Sequence, residues 1–444
     1  MRNIIIFLVS GLWFLISASA PAFATTVQEI KTAGGITAWL VEEHSQPLIS
    51  LSIAFRDSGT AYDPDGKEGR TAFTSAMLTE GAGDMDSESF SRALEAHAIR
   101  LSFSADEDNF YAGLNILSEH KERAFSYLAL ALLVPRFDDD ALARVKRQTL
   151  LAIKQQREKP DYRLNRAWQE RIFSGHPYSK PQLGTEETVE KLSRNDLRNF
   201  TSHYLARSNM IVSVVGDITS DELSSLLDKN LSELPAEYKP DVTLADITLP
   251  KEGKQIVIEQ DIPQTMVHFG MEGLKRDDPD YMAGYVMNYL VGGGTLTSLV
   301  NREIREKRGL TYSVATALNP MQHAAIFEGW FASRNEKTGE AVSVLRETLR
   351  EFTINGTNES ELSDAKRFLT GSFVVGLDSN AKIVNFLTMM QLRHLGIDYM
   401  DKRNNLIDKV TVQQVNDMAK RLINLDKLQI IMVGKPKLNR MEKP

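Results

Sequence analysis

The sequence contains no cysteine and only eight histidines, and both shortages exclude whole classes of chemistry. Without cysteine the chain can form no disulfide, no thiolate nucleophile and no cysteine-ligated zinc site. No two histidines lie within five residues of each other, so the helical zinc motifs HExxH and HxxEH are absent. The serine-nucleophile pattern GxSxG and the phosphate-binding pattern GxxxxGK are absent too. The sequence therefore predicts no metal site of the usual kinds in this chain.

Long apolar runs are also scarce, and the clearest one lies at the start of the chain. Residues 4–16 are almost wholly apolar, follow Arg2 and precede the pattern Ala22-Phe23-Ala24. This order is typical of a secretory signal peptide, so we assign residues 1–24 to one and expect a periplasmic protein. The run is shorter than the roughly 20 residues of a membrane span, and no later segment is apolar enough to be one. We therefore expect no transmembrane segment in the mature chain.

The chain carries no excess of positive charge. Acidic residues outnumber lysine and arginine by 59 to 52, which gives a formal net charge of -7. Both signs are interspersed, and no basic tract is present that would attract a phosphate backbone. We expect no nucleic-acid partner.

An internal repeat divides the chain into two halves. The segment LSRNDLRNFTSHYLARSNMIVSVVG, residues 192–216, aligns without a gap with VTVQQVNDMAKRLINLDKLQIIMVG, residues 410–434. Each segment has a hydroxyl residue at a helix N-cap position, an apolar helical stripe, an alternating strand and a closing glycine. Agreement in all these features predicts a duplication at an offset of 218 residues.

A stretch containing three prolines, residues 234–255, separates the two halves and is predicted to be a linker. We accordingly expect an N-terminal domain over residues 25–233 and a C-terminal domain over residues 256–444. In both halves, alternating strand patterns precede long amphipathic helical patterns, which predicts an α+β fold. Two related halves of this kind commonly close a cleft between them.

The helical pattern in EGRTAFTSAMLTEGAG, residues 68–83, puts Ala72, Ser75 and Ala76 on one face. Such a face offers one hydroxyl and two methyl groups, so it suits close helix packing and cannot hold a metal ion. Farther along, Gly292, Gly293 and Gly294 form a run between two helical patterns. They indicate either a turn or a close approach of the backbone to a bound peptide.

The stretch NREIREKRGLTYSV, residues 301–314, is the richest in charge and raises two alternatives. Its first half predicts a helix that ends at a C-capping glycine, with Arg305 at the edge of the apolar face. Its second half alternates as a strand would, which places Tyr312 on the same face as Leu310 and Val314. Tyr312 is then either a core aromatic residue or a group that faces a ligand. The other basic residues are predicted to be a solvated helix end near the helix dipole, namely Arg302, Lys307 and Arg308.

EIREKR followed by GLTYSV, downstream of a glycine-rich run, resembles the C-terminal domain of insulinase/pitrilysin-type metallopeptidases. The N-terminal half matches in the order of its elements, including the VPRF turn at 134–137 and the helix ARVKRQTLLAIKQQREKP at 143–160. The resemblance covers the whole mature chain and is strongest to the short two-domain subfamily that includes mitochondrial processing peptidase. It implies two homologous domains, each a mostly antiparallel sheet packed by helices, arranged as a clamshell around a cleft.

The resemblance also assigns the site residues. Active members carry HxxEH on the first long helix and a further glutamate on a later helix, and the matching positions here are Ala72, Ser75, Ala76 and Ala152. All four functional side chains are missing, so we expect no zinc in this chain. In the family's C-terminal domain an arginine and a tyrosine seven residues apart hold the substrate, and here they are Arg305 and Tyr312. The glycines of the run at 292–294 are expected to contact the substrate backbone.

Some members of this subfamily divide the work between two chains, one with zinc and one with the arginine and tyrosine. The resemblance therefore implies the non-zinc subunit of a heteromeric periplasmic zinc metallopeptidase, inactive alone. Its partner would be a homologous HxxEH subunit that holds the zinc, and its substrate a peptide or an unfolded polypeptide. The alternative is a catalytically inert peptide-binding or assembly protein of the same fold. A third possibility, a self-sufficient zinc peptidase, conflicts with the missing ligands.

Overall fold

The computed structural model describes residues 26–293 and 296–438. The predicted signal peptide, residues 1–24, and Gly294 lie outside the described residues. The strands, numbered in chain order, are β1 Gln28–Lys31, β2 Thr37–Glu42, β3 Leu48–Phe55, β4 Gly81–Ala82, β5 Met85–Asp86, β6 Arg100–Ala105, β7 Phe110–Leu117, β8 Met210–Gly216, β9 Gln255–Glu259, β10 Gln264–Glu272, β11 Val314–Pro320, β12 Ala325–Arg334 and β13 Gln429–Gly434. The α-helices are α1 Arg70–Met77, α2 Ser87–Glu95, α3 Lys121–Leu133, α4 Asp139–Arg157, α5 Pro160–Ile172, α6 Glu186–Glu190, α7 Arg194–Tyr204, α8 Ser220–Leu231, α9 Tyr281–Val291, α10 Thr338–Asn355, α11 Glu359–Val375, α12 Asn380–Leu392, α13 Tyr399–Asp408 and α14 Val412–Leu422.

Two large sheets organise the chain, and their topologies match. The first has the strand order β1-β2-β8-β3-β7-β6 and the second the order β9-β13-β10-β12-β11. In each sheet one pair is parallel, β2 with β8 and β9 with β13, and the other pairs are antiparallel. Apart from β1, every strand of the first sheet has a counterpart at the same place in the second. The prediction of two homologous α+β domains with mostly antiparallel sheets is confirmed.

The repeated segments coincide residue for residue in their helices. Helix α7 spans residues 194–204 and α14 spans residues 412–422, so both bounds differ by the predicted 218. Each helix begins with a capping box, in which the third helical residue accepts from the N-cap backbone: Asp196 from Ser193 at 2.8 Å and Gln414 from Thr411 at 2.9 Å. The same N-capping interaction therefore begins the corresponding helix in each half.

Each half also lends one helix to the sheet of the other half. Helix α5 packs on β10 and β13, and α12 packs on β3 and β8. On one side the Trp168 indole stacks on the His268 imidazole, with ring centroids 3.9 Å apart and planes inclined by 12°. On the other side Val384 and Leu387 of α12 join Trp39 in a buried apolar cluster. The halves are thus connected by two reciprocal contacts in addition to the chain itself.

Residues 235–254 form neither helix nor strand, and much of this segment packs against both halves. The Asp241 amide donates to the Tyr204 hydroxyl at 2.9 Å, and the Ile247 amide donates to the His323 carbonyl at 2.8 Å. Gln255, which we expected to end the linker, is instead the first residue of β9. The domain boundaries stay a prediction. In the described ranges no helix is long and apolar enough to cross a membrane.

We expect trypsin to cut first at the fully exposed end of this segment, residues 251–254, which contains two lysines. Because α5 and α12 each cover the opposite sheet, the nicked protein is expected to elute as one species in native gel filtration. A denaturing gel should then resolve two fragments of similar size. Fragments that separate without denaturant would contradict the reciprocal packing, and a first cut deep inside either half would contradict the domain boundaries.

Candidate functional site

Helix α1 carries the positions where the family resemblance places the zinc motif. Its buried face holds Phe73 and Met77 among others, whereas Ala72 and Ser75 are half-buried and Ala76 is exposed. The helix packs on α4, which carries the half-buried Ala152. The structure therefore brings all four degenerate positions onto two adjacent helices.

These residues do not fit a zinc ion. The alanine methyl groups have no lone pairs, and the Ser75 hydroxyl donates to the Ala72 carbonyl at 2.7 Å. Within residues 26–293 and 296–438, no three histidine, aspartate or glutamate side chains gather in an arrangement that could hold a metal ion. The accessible face of α1 thus offers shape and methyl surface rather than metal ligands.

The start of α1 is instead fixed by a buried ion pair. The Asp63 carboxylate accepts from the backbone amides of Gly69 and Thr71, at 3.0 and 3.1 Å, and from the Thr71 hydroxyl at 2.7 Å. Arg70 donates to Asp63 at 3.3 Å, and its guanidinium lies 4.6 Å from the centre of the Tyr204 ring. Burial raises the pKa of Asp63 to about 6 and the charge of Arg70 opposes that rise, so the pair is ionised at neutral pH.

The purified mature chain is expected to contain far less than one zinc per molecule after dialysis, because its candidate ligand positions carry methyl groups. Restoring the family's set with Ala72→His, Ser75→Glu, Ala76→His and Ala152→Glu should raise the zinc content towards one per molecule. Elemental analysis of both proteins is the measurement. Stoichiometric zinc in the unmodified chain would mean that these four positions are misassigned.

The second half contributes the charged turn of residues 301–314. Its helical part is a π-helix over Asn301–Glu306, in which the Lys307 amide donates to the Arg302 carbonyl. Gly309 follows with φ +60°, its amide bonds to the Arg305 carbonyl, and the Leu310 amide bonds back to the Ile304 carbonyl. These two bonds are each one residue wider than those of a Schellman motif, because they close a π-helix, and they leave glycine at the left-handed position, as predicted.

The predicted strand over residues 310–314 is wrong in its first part. Strand β11 begins only at Val314, and Tyr312 does not share a face with Leu310 and Val314. Those two side chains are buried, whereas Tyr312 is 86% exposed. The reason is that Thr311 turns inward and its hydroxyl donates to the Ala332 carbonyl at 2.7 Å, which interrupts the alternation. Tyr312 is therefore not a core aromatic residue.

The loop that displays Tyr312 is firmly held on both sides. The Ser333 hydroxyl of β12 donates to the Leu310 carbonyl at 2.6 Å, and the Thr311 hydroxyl also contacts the Ser313 carbonyl at 2.8 Å. Sequence reasoning missed the roles of Thr311 and Ser333, because a serine in a distant strand gives no local signal. An exposed aromatic ring on a rigid support is preorganised for contact with another molecule.

Arg305 lies in contact with this tyrosine. Its guanidinium carbon lies 5.7 Å from the centre of the Tyr312 ring, within the range of a cation–π contact. Within the described ranges, no carboxylate lies within ion-pair distance of Arg305. The structure thus brings the two predicted catalytic residues together and leaves the guanidinium without a fixed counter-charge.

The neighbouring basic residues are used differently. Lys307 and Arg308 both contact the Glu303 carboxylate, at 2.7 and 2.9 Å, and Arg302 lies 3.6 Å from it. Burial opposes ionisation of Glu303, but the hydrogen bonds from Lys307 and Arg308 hold its pKa below the usual value. These three cations therefore form a local network around Glu303 in addition to lying at a solvated helix end.

The described glycines of the run, Gly292 and Gly293, are required by packing inside the chain. A Cβ on Gly292 would lie 2.5 Å from the Thr316 hydroxyl oxygen, and one on Gly293 would lie 2.6 Å from the Tyr289 Cα. The Thr316 amide also donates to the Gly292 carbonyl at 2.9 Å, which ties the end of α9 to β11. Close backbone approach is present here, between α9 and β11, and contact with a substrate stays a prediction.

The two candidate half-sites lie in different halves of the chain. Helix α1 packs on α4, α7 and β6 of the first half, whereas the π-helix with Arg305 packs on α10 and β11 of the second half. The first half therefore carries a helix without metal-ligand side chains at the candidate positions, and the second half carries an accessible arginine and tyrosine.

Comparison with known proteins matches the chain to two models of one peptidase family. Residues 40–186 match the family model described as insulinase, peptidase family M16, and residues 191–369 match the one described as peptidase M16 inactive domain. Together the two matches span both halves of the chain.

Similar proteins cover nearly the whole length. The protein named non-peptidase homolog YmxG of Helicobacter pylori is 26% identical over 99% of this chain and 100% of its own. A crystal structure of a peptidase M16 inactive domain from Pseudomonas fluorescens has a TM-score of 0.86 at 29% identity and covers 94% of this chain and 99% of that one. The periplasmic protease PqqL of Escherichia coli shares the fold, with a TM-score of 0.78 at 15% identity, over 98% of this chain and 49% of its own.

Proposed function

This chain belongs to the insulinase family, peptidase family M16, and from that premise we propose that it is the non-zinc subunit of a heteromeric peptidase. It supplies Arg305 and Tyr312 to the active site of a homologous HxxEH-bearing partner. By itself it hydrolyses no peptide bond, because the positions of the zinc ligands and of the general base carry alanine and serine. The zinc of the complex belongs to the partner.

The observation that carries this proposal is the state of Tyr312. A tyrosine retained only for packing would be buried, but this ring is 86% exposed on a loop held by Thr311 and Ser333. Its hydroxyl is accessible to another molecule, and the Arg305 guanidinium makes a cation–π contact over the ring. A member of the family with a purely structural role would have no need of this pair.

The chemistry follows from the two groups. As a peptide carbonyl is attacked, negative charge develops on its oxygen, and a phenol hydroxyl aimed at that oxygen stabilises the charge by a hydrogen bond. Arg305 can grip a neighbouring carbonyl or a carboxylate with two parallel N–H donors, which orients the chain that is to be cut. The substrate class is therefore peptide or unfolded polypeptide, whose backbone carbonyls are accessible.

Location and partner follow from the sequence. The signal-peptide pattern of residues 1–24 supports export to the periplasm, so the partner should carry an export signal of its own. The chain has no cysteine, so its stability depends on packing and not on disulfide bonds that an oxidising compartment would be needed to form.

A second candidate function is an inert peptide-binding or assembly protein of the same fold. The name of the Helicobacter pylori relative, a non-peptidase homolog, supports it, since that protein matches this chain from end to end. The two candidates differ in one consequence, which is whether Arg305 and Tyr312 affect turnover in any complex.

The test is reconstitution. This chain is co-expressed with an HxxEH homologue from the same genome, and peptidase activity is measured for each protein alone and for the pair. We expect activity only in the pair, abolished when the glutamate of the partner's HxxEH is replaced by glutamine. A homologue that is fully active alone, or a pair that fails to associate, would favour the inert binding protein.

A further inference from the structure

A polar cavity of about 530 Å³ lies between the two halves, away from the π-helix that carries Arg305. Its first-half wall comes from the end of β3 and the turn between β6 and β7. Its second-half wall comes from α12, the two residues that follow it, and the turn between β11 and β12. Its size is within the range of small-molecule sites. Nothing in the proposed peptidase chemistry uses this cavity.

The lining carries charge of both signs. Three carboxylates belong to the first half, those of Asp57, Asp106 and Asp108. The guanidinium of Arg393 comes from the second half, directly after α12. For Arg393, the ranges 26–293 and 296–438 contain no carboxylate within ion-pair distance. The cavity therefore offers acceptors for a cationic group and a donor for an anionic group.

The acidic wall is rigid. The Asp106 carboxylate accepts from the Asn109 backbone amide at 2.6 Å and from the Tyr111 hydroxyl at 2.7 Å. Asp57 accepts from the Tyr62 hydroxyl at 2.8 Å and from the Gln322 side chain of the second half at 2.6 Å. These bonds fix the Asp57 and Asp106 carboxylates, and among the described residues neither of them forms an ion pair with a lysine or an arginine.

Two buried polar atoms of lining residues have no hydrogen-bond partner among the described residues, and they are Arg56 Nε and Asn109 Oδ1. Asn109 is only 7% exposed. Its orientation is determined, because the Tyr111 hydroxyl gives its proton to Asp106 and so accepts from Asn109 Nδ2 at 3.3 Å. The amide oxygen is thereby left as an unmatched acceptor, and Arg56 Nε is an unmatched donor. Leaving such buried groups unpaired destabilises a fold.

Two lining residues also adopt the left-handed backbone region that non-glycine residues avoid. Asp57 has φ +57° and His394 has φ +51°. Such conformations persist where the surrounding structure holds them, and they concentrate at ligand sites. These two conformations are additional evidence for a ligand site in this cavity.

We propose that this cavity binds a small zwitterion, a free amino acid or a short peptide with both termini charged. A ligand with an ammonium group and a carboxylate matches the charges of both signs in the lining. Its ammonium group would face the acidic wall, and its carboxylate would face Arg393. A bound molecule touches both halves and therefore stabilises their association.

The inference is independent of the proposed peptidase role, because it needs neither a partner subunit nor Tyr312. The full mature chain is titrated calorimetrically with each of the twenty L-amino acids and with L-alanyl-L-alanine. We expect binding at one site per chain and a higher Tm in the presence of the same ligands. Amino acids and the dipeptide are separate arms, so the titrations show which of the two the cavity takes.

Blocked ligands provide the chemical control. Acetylating the amine or amidating the carboxylate of the best ligand should weaken binding at least about tenfold, the loss expected for one charge-assisted hydrogen bond. Equal binding of blocked and free forms would overturn the proposal, and so would the absence of heat and of a Tm shift for every compound.

Two variants locate the site. Arg393→Gln removes a guanidinium that forms no ion pair among the described residues, and Asp57→Asn keeps an acceptor and tolerates the left-handed backbone. Each should weaken zwitterion binding at least about tenfold. The matched control is Arg367→Gln on α11, whose exposed side chain forms an ion pair with Asp364. Binding that is unchanged in both cavity variants, or equally reduced in the control, would place the ligand elsewhere.

Discussion

In the reconstituted complex, Tyr312→Phe is expected to lower kcat by about 10²–10³, roughly 2.7–4 kcal/mol, the usual cost of one oxyanion donor. The change removes a hydroxyl and leaves the ring, so the contact with Arg305 stays. Because the ring is 86% exposed, no cavity opens and the folded chain should lose almost no stability. Steady-state kinetics on one peptide substrate give the result.

The controls separate chemistry from binding. Tyr127→Phe makes the same atomic change on α3, where the ring packs against Phe90, and turnover should be unaffected. Arg305→Lys keeps the charge but loses the planar fork, so it should raise KM more than it lowers kcat. Wild-type turnover with Tyr312→Phe would remove the catalytic role and leave the inert binding protein as the better explanation.

The parts of the fold that the sequence predicted are those governed by local rules. The capping boxes of α7 and α14 and the closing glycines depend on residues within a few positions of each other, so the duplication was detectable. The α+β class followed from strand and helix periods. The exchange of α5 and α12 was not predictable, because an apolar stripe shows that a helix is covered but not by which half.

The site shows the same limit. The absence of metal-ligand side chains at Ala72, Ser75 and Ala76 can be read from residue identity alone. The exposure of Tyr312 could not, since the alternation from Leu310 to Val314 predicts a strand. Hydrogen bonds from Thr311 and from the distant Ser333 override that pattern. Tertiary contacts of this kind decide which side chain of a loop is displayed.

The burial of Arg70 also could not be predicted from its neighbours in the sequence. A charged residue at the start of a short helix predicts a solvated side chain, yet this guanidinium is 2% exposed. It is enclosed by Asp63, by the Tyr62 carbonyl at 3.2 Å and by the rings of Phe200 and Tyr204. Helix α1 therefore keeps a precise position even though its accessible face carries no metal ligand.

Removing the acidic partner should reveal how much that position depends on the pair. Asp63→Ala leaves Arg70 as a buried cation and strips hydrogen-bond acceptors from Gly69 and Thr71. Breaking a buried pair in this way typically costs about 3–5 kcal/mol, because the remaining charge is uncompensated. We expect a loss of that size in the free energy of unfolding, measured by urea denaturation at pH 7, where Asp63 is ionised.

The matched control is Asp364→Ala, which removes an equally short ion pair from the surface. Asp364 lies 3.1 Å from Arg367, but their side chains are 68% and 76% exposed, and such pairs contribute only about 0–1 kcal/mol. Both variants remove an aspartate from an ion pair, so the difference between their losses measures the cost of leaving the Arg70 charge and the Gly69 and Thr71 donors buried without a partner. Equal losses would mean that Asp241, which lies 3.3 Å from Arg70, takes over as its counter-ion and that α1 does not depend on Asp63.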